Sequence, residues 1–427
     1  VATDGLKLTG NSLDNRNGGL VGANQALQLM VDAIDNRGGE LSSQQIGLVG
    51  ERLDNSAAGR VLASGDLTLT VAQVINQSLG LISADQGLSL NGTSLDNQGG
   101  DLVGLQRLDL ALAGDLDNHQ GRISSEGGLG IQVRNLGNRQ GSLSSAGALQ
   151  ISAREALDNR GGKLLSDAAL TLSSARLDNQ QQGVISSKAK LALETGELDN
   201  SQGGNLNSGD ALNLTATQVN NDQGSIGSAK ALQASVSGLQ QQGGKLFSKT
   251  ALSLDLNHGT LNNQGGFINA PGPLVLSNLG TVNNRQGEIS SEQAFELAAQ
   301  SLDNSAGQLL SHQALIYEHV VLDRRWRLSL NEQTFTLLPQ GRLSSDNYDL
   351  LLAACLAGQG VLDCPHWSVQ PLLASGRLVQ VLPDYQIAPD AFGPLILAMY
   401  PSHRRATRKV QAFIEFIEAY LAARQLA

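Results

Sequence analysis

Along the first three-quarters of this chain, hydrophobic and polar positions alternate strictly in short runs, and the runs recur. Segments such as Leu129-Gly130-Ile131 and Leu170-Thr171-Leu172 carry the period-2 signature of a strand with one buried face. A second short run of the form apolar-x-Ser precedes each of them, as in Gly121-Arg122-Ile123-Ser124-Ser125. Helical periodicity is absent, because the aliphatic positions come in pairs and not in fours. A triplet ending in Asn opens each unit, as in Leu95-Asp96-Asn97, with a Gly three to five residues further on. Asn tolerates the left-handed region and Gly supplies positive φ, so the Asn-to-Gly stretch reads as a corner between strands.

The triplet places Asn15, Asn36, Asn55, Asn76, Asn97, Asn118, Asn138, Asn159, Asn179, Asn200, Asn221, Asn263, Asn284 and Asn304 at one point of the repeat. The degenerate Leu239-Gln240-Gln241 stands in the twelfth place, giving fifteen copies at spacings of 19 to 22 residues. A unit this small cannot bury its one apolar face alone, but stacked units share a continuous aliphatic core. The predicted fold is therefore mainly β, a right-handed parallel β-helix of about fifteen coils of about 21 residues. At ~4.8 Å per stacked strand it is a rod on the order of 70 Å long. The asparagines of successive coils are expected to form a structural ladder along one corner, each amide bonding the next.

The pattern Leu-Asp-Asn-x-x-Gly-x-Leu with intervening Leu-x-Leu strands resembles the haemagglutinin repeats of filamentous haemagglutinin and of contact-dependent inhibition effectors, over roughly residues 1–308. The resemblance implies an adhesive stalk, secreted and displayed on a bacterial surface. It also implies export by two-partner secretion, with an outer-membrane transporter and a host or neighbouring-cell surface as partners. Val1 opens directly in the repeat grammar with no signal-peptide pattern, so the repeat is expected to begin further upstream.

Composition divides the chain in two. All five Tyr, both Trp, both Cys and seven of nine Pro follow residue 308, whereas 44 of 49 Gly precede it. The first part has 19 Lys+Arg against 29 Asp+Glu, and the remainder 10 against 10. Nucleic-acid binding is not expected of an acidic rod, because counterion release needs clustered cations. No stretch approaches the ~20 apolar residues of a membrane span.

Two chemical readings of the rod are set aside. The repeated Asp residues, such as Asp96, Asp117 and Asp158, could attract calcium, but six of the fifteen triplets lack the Asp. The spacing also differs from that of calcium-binding nonapeptide loops, so the Asp reads as a solvated turn residue. A polysaccharide-lyase site would need non-repeating charged and aromatic residues on one face. The departures here are only His119, His258, Phe247, Phe267 and Pro271-Gly272-Pro273. The histidines read as surface residues, and the two Phe as core residues in place of Leu or Ile. No enzyme activity, catalytic residue, cofactor or metal is expected.

Residues 309–427 follow ordinary α/β patterns. Ser345 or Asp346 is expected to cap a helix from Tyr348 to Leu356, ended by Gly358 and Gly360. Val361-Leu362 reads as a buried strand, Trp367 to Leu373 as a helix, and Leu378 to Leu382 and Pro394 to Tyr400 as strands. Lys409 to Ala422 reads as an amphipathic helix. The segments Ala354-Cys355-Leu356-Ala357-Gly358-Gln359-Gly360-Val361, Leu373 to Tyr385, Tyr400-Pro401-Ser402-His403-Arg404-Arg405 and Lys409 to Phe416 resemble the end of a LysR-type transcriptional regulator.

That resemblance implies a partial, periplasmic-binding-protein-like effector subdomain, with no helix-turn-helix and most of the first subdomain absent. In this family the effector sits between two subdomains, so half of its pocket is missing here. A regulator-derived effector-binding module, located in the cytoplasm, is the alternative function. Cys355 and Cys364 read as free thiols, and the cluster Arg404, Arg405, Arg408 and Lys409 as a solvated face.

Overall fold

The computed structural model describes residues 2–293, 295–310, 314–318, 326–330, 333–337, 339, 341, 343–381, 386–387, 415–416 and 419. The chain divides into two compact units, Val1–Ser311 and His312–Ala427.

The first unit is a parallel β-solenoid. Each coil contributes one short strand, usually of four residues, such as Arg122–Ser125, and one long strand, such as Leu170–Asp178. The short strands form a 15-stranded sheet and the long ones a 20-stranded sheet. The second number is larger because some coils interrupt the long strand, as between Gly87–Gly92 and Ser94–Asp96. The pairings between neighbouring coils are parallel, with like positions facing one another and local register shifts between Ala153 and Ala156 and between Leu276 and Leu279. Leu172, for example, faces Ile151 on one side and Leu193 on the other, and Leu177 lies between Leu157 and Leu198.

Alternation within each strand thus becomes columns of like residues down the rod. Four aliphatic columns line the interior. One runs through Ile123, Leu143 and Leu164 of the short strands, and three run through Leu170, Leu172 and Leu177 of the long strands, all essentially inaccessible. Burying one such side chain contributes on the order of 2 kcal/mol.

Phe247 and Phe267 depart from the expectation of core packing. In their strands the core positions belong to Leu246 and Ile268, so period-2 alternation turns both rings outward, half-buried. The Phe247 ring lies across Gly227 of the preceding coil, where an added Cβ would come within 2.4 Å of it. The glycine makes room and the ring covers the exposed backbone.

In the second unit, Leu343–Ser345, Ala314–Tyr317 and Val361–Leu362 form a small parallel sheet in that order. Trp326–Leu330 pairs antiparallel with Gln333–Leu337 and with Gln386–Ile387. Helix α1 (Tyr348–Leu356) is capped by Asn347, whose side chain accepts from the Leu350 N–H at 3.1 Å, and not by Ser345 or Asp346. The Ser345 hydroxyl instead accepts from the Asn347 N–H. Helix α2 (His366–Ala374) is tied to α1 by the Tyr348 and Ser368 hydroxyls, 2.6 Å apart. Val361–Leu362 is half-buried and not fully enclosed.

No strand forms over residues 378–381. The N–H groups of Arg377 and Leu378 turn back to the Leu372 carbonyl and terminate α2, and Val379 is left 82% exposed. Helix termination has consumed the Leu378 donor that would open a strand. Cys355 and Cys364 are free and half-buried, and burial pushes both thiols up. The expected strand Pro394 to Tyr400 and the cluster Arg404, Arg405, Arg408 and Lys409 lie outside the described residues. Of Lys409 to Ala422 only Glu415, Phe416 and Ala419 are described, all helical.

Candidate functional site at the asparagine corner

The recurring polar chemistry of the rod lies at the corner that follows each long strand. The amide of Asn15 donates from Nδ2 to Oδ1 of Asn36, and Asn36 donates to Asn55 in the same way. The relay continues through Asn76, Asn97, Asn118, Asn138, Asn159, Asn179, Asn200 and Asn221 at 2.7–2.8 Å. Gln241 then takes a place in the file, accepting from Asn221 at 3.1 Å and donating to Asn263 at 3.2 Å. Asn263, Asn284 and Asn304 complete it. The triplet Leu239-Gln240-Gln241, degenerate in the sequence, thus supplies its own member of the file. The place of Gln241 in the triplet was the signal that it belonged.

Each amide also satisfies backbone oxygens. Asn97 Nδ2, for instance, donates to the carbonyl of Gly100 in its own coil and to that of Arg122 in the next. From Asn36 to Asn284 these side chains are fully inaccessible. A buried amide without partners costs about 1–3 kcal/mol, so a fully satisfied file holds successive coils in one register and no other.

The glycine that closes each corner serves a purpose different from the one its type suggests. Gly121 and Gly141 do not adopt positive φ, and neither do the ladder asparagines. The left-handed residues are Gln120 (φ 54°) and Gln140 (φ 54°), one place earlier. Gly is required because a Cβ on Gly121 would lie 2.2 Å from the Asn97 carbonyl oxygen of the preceding coil. Close stacking of backbone on backbone selects it.

The Asp that precedes each ladder residue caps the turn. Asp14, Asp35, Asp54, Asp96, Asp117, Asp158, Asp178, Asp199 and Asp303 each accept through Oδ1 from the N–H two residues on, at 2.9–3.3 Å. Asn220, Asn262 and Asn283 do the same in coils that lack the Asp. An Asx-turn acceptor is what this position needs, and Asn or Asp supplies it. Arginines bridge successive carboxylates. Arg16 lies 2.7 Å from Asp14 and 3.5 Å from Asp35, Arg37 lies 2.6 Å from Asp35 and 3.9 Å from Asp54, and Arg160 lies 2.6 Å from Asp158 and 3.4 Å from Asp178. Among the described residues, no three His, Cys, Asp or Glu side chains are grouped to hold a metal ion.

The Arg37 hydrogen bond holds the Asp35 carboxyl below its ordinary range, and Arg16 holds that of Asp14 at about 2. Asp178 shifts upward, first because it is buried and then because Asp158 and Asp199 stack on either side. A raised folded value penalises the ionised state, so the penalty is present near neutral pH and vanishes below the unfolded value of about 4. Asp178→Asn keeps the Asx acceptor. It is expected to stabilise the rod by about 0.5 kcal/mol at pH 7, with the gain disappearing by pH 4. Urea unfolding of the full chain at the two pH values measures it.

A second column escaped the sequence reading although its serines were visible. At the opposite corner, the hydroxyls of Ser145, Ser166 and Ser208 donate to carbonyls of the preceding coil, those of Gly127, Gly147 and Ala189, at 2.6–2.9 Å. The recurring Ser after the short apolar run was its trace.

A continuous core, two parallel sheets and an internal amide file define a β-helical stalk of stacked repeats. The chain belongs to the Haemagglutinin repeat family. Its matches run over residues 1–61, 49–120, 104–161, 158–202, 193–270 and 250–316, which makes the stalk one of adhesin type.

Residues 293–422 match the LysR substrate binding domain. The two matches overlap, and within the overlap Phe295–Asp303 and Gln308–Leu310 pair as strands of the solenoid. The chain is 34% identical over 97 residues to the HTH-type transcriptional regulator DmlR of Escherichia coli (strain K12), covering 23% of this chain and 30% of that protein. It is 32% identical over 95 residues to the HTH-type transcriptional activator TtdR of the same strain, covering 22% and 29%. This chain therefore spans under a third of those regulators. The putative LysR family substrate binding domain-containing protein YagP is 27% identical over 96 residues, 22% of this chain and 68% of that protein. No solved structure matches. Among the described residues, no helix is long and apolar enough to cross a membrane.

Proposed function

We propose that residues 1–308 act as the adhesive stalk of a secreted, surface-displayed protein, exported by two-partner secretion through an outer-membrane transporter. The unbroken amide file from Asn15 to Asn304 carries this reading. A solenoid closed by its own backbone and amide bonds extends reach without disulfides. Folding by addition of coil to coil also suits assembly outside the cell. Its role is structural and not catalytic, and its partner is a host or neighbouring-cell surface. The second reading is a cytoplasmic effector-binding module derived from a LysR-type regulator, favoured by the match over residues 293–422.

Beads coated with the full chain separate the two. Attachment to cultured animal or bacterial cells above albumin-coated beads, with no specific DNA mobility shift at 0.15 M salt, is the expected result. Absence of attachment to either kind of cell would overturn the adhesive reading.

A further inference from the structure

The outer face of the first five coils carries an open groove of about 780 Å³. Its length follows the rod axis, because one outward column of the long strands lines it. Thr9, Met30, Val49, Thr70 and Asn91 stand in successive coils in register. Met30 and Val49 are 47% and 50% exposed, large apolar side chains on a face that is otherwise polar.

Along the same groove, Asp32 and Glu51 take equivalent places in adjacent coils, between the paired positions Met30/Val49 and Ala33/Arg52. The lining contains no Lys, Arg or aromatic residue. Elsewhere the rod places an arginine of its own between stacked carboxylates, as Arg16, Arg37 and Arg160 do at the asparagine corner. Arg52, the neighbour of Glu51, is turned away to Asp54 at 2.8 Å. Among the described residues, no cation bridges Asp32 and Glu51.

We propose that this groove docks an extended, arginine-bearing polypeptide segment lying along the rod axis. One guanidinium occupies the space between Asp32 and Glu51, and its methylene stem lies on Met30 and Val49. Charge complementarity fixes the sign of the partner. The planar, multi-donor guanidinium suits two carboxylates carried on strands stacked about 5 Å apart. The flexible thioether of Met30 adapts to an aliphatic stem. The lack of an aromatic platform argues against a sugar polymer. The docking chemistry is independent of where the rod is displayed, so it stands apart from the adhesive reading.

The test is fluorescence anisotropy of the full chain with a fluorescein-labelled peptide of alternating arginine and valine. Saturable binding is expected, weakened at least tenfold in the double variant Asp32→Asn, Glu51→Gln and at least threefold in Met30→Ser. All these positions are exposed, and an unchanged far-UV circular dichroism spectrum verifies the fold. A control double variant, Asp85→Asn with Glu126→Gln, makes the same change in charge outside the groove and is expected to bind as the parent does. Equal weakening by both double variants would reduce the effect to net charge and overturn the proposal. Absence of saturable binding, or tighter binding of a labelled chitosan oligosaccharide than of the peptide, would overturn it too.

Discussion

Asn159→Asp is expected to destabilise the rod by about 4 kcal/mol at pH 7. The native amide is wholly buried and accepts from Asn138 Nδ2 at 2.7 Å. It donates to Asn179 Oδ1 and to the carbonyls of Gly162 and Val184. A carboxylate keeps the first contact but turns its other oxygen on three acceptors, with no donor and no cation to compensate. Burial and these acceptors push the new carboxyl's folded value far above the unfolded one. The destabilisation therefore grows as pH rises through that interval and is smallest below about pH 4. There the protonated group regains one donor for Asn179.

Asn159→Gln is the contrasting case. Gln241 already occupies the file with bonds of 3.1 and 3.2 Å, so this substitution should cost about 1 kcal/mol. Hydrogen exchange resolved by peptide would locate the loss of protection in the coils around residue 159. Uniform protection in the Asp variant at pH 7 would show that the file does not hold the coils together.

The second large effect is Gly100→Ala, with Gly99→Ala as its comparison. Gly99 has φ +61° with no atom within 4 Å of an added Cβ, so alanine there pays only the left-handed penalty, about 1–2 kcal/mol. At Gly100 the same methyl would lie 1.8 Å from the Asn76 carbonyl oxygen and 2.9 Å from its Nδ2. The Nδ2 cannot withdraw without breaking its bonds to Asn97 Oδ1 and the Asp101 carbonyl of the next coil. Overpacking against backbone is expected to cost about 3 kcal/mol or more and to uncouple the coils on either side, since neighbours alone stabilise one another in such an array. Urea denaturation followed by circular dichroism should show a second transition in Gly100→Ala and a single shifted one in Gly99→Ala. If the two variants unfold alike, conformational freedom and not close stacking explains this glycine.

The pair also shows where sequence reading stops. Two adjacent glycines look alike in a string of letters, and residue type alone predicts positive φ at the corner glycine. The left-handed residue is the one before it, which is Gln120 or Gln140 in coils without a Gly-Gly pair. The same limit applies to Phe247 and Phe267, whose place in the repeat, where other coils put Leu or Ile, predicts core packing. A shift of one position in an alternating strand moves a side chain from inside to outside. In the second unit, apolar alternation over residues 378–381 looked like a strand. The Leu378 N–H that would have opened a ladder is spent on the end of α2.

What the sequence determined alone is the period, the strand alternation and the type of residue at each corner. These are local properties, and fifteen repetitions make them unambiguous. Tertiary structure decided which atoms meet between residues some twenty positions apart. Such meetings include the place of Gln241 in the amide file, the glycines that must lack a Cβ, the arginines shared between stacked carboxylates and the groove that has none. Those contacts depend on how one coil settles on the next, a distance of under 5 Å across the sheet that no spacing along the chain specifies.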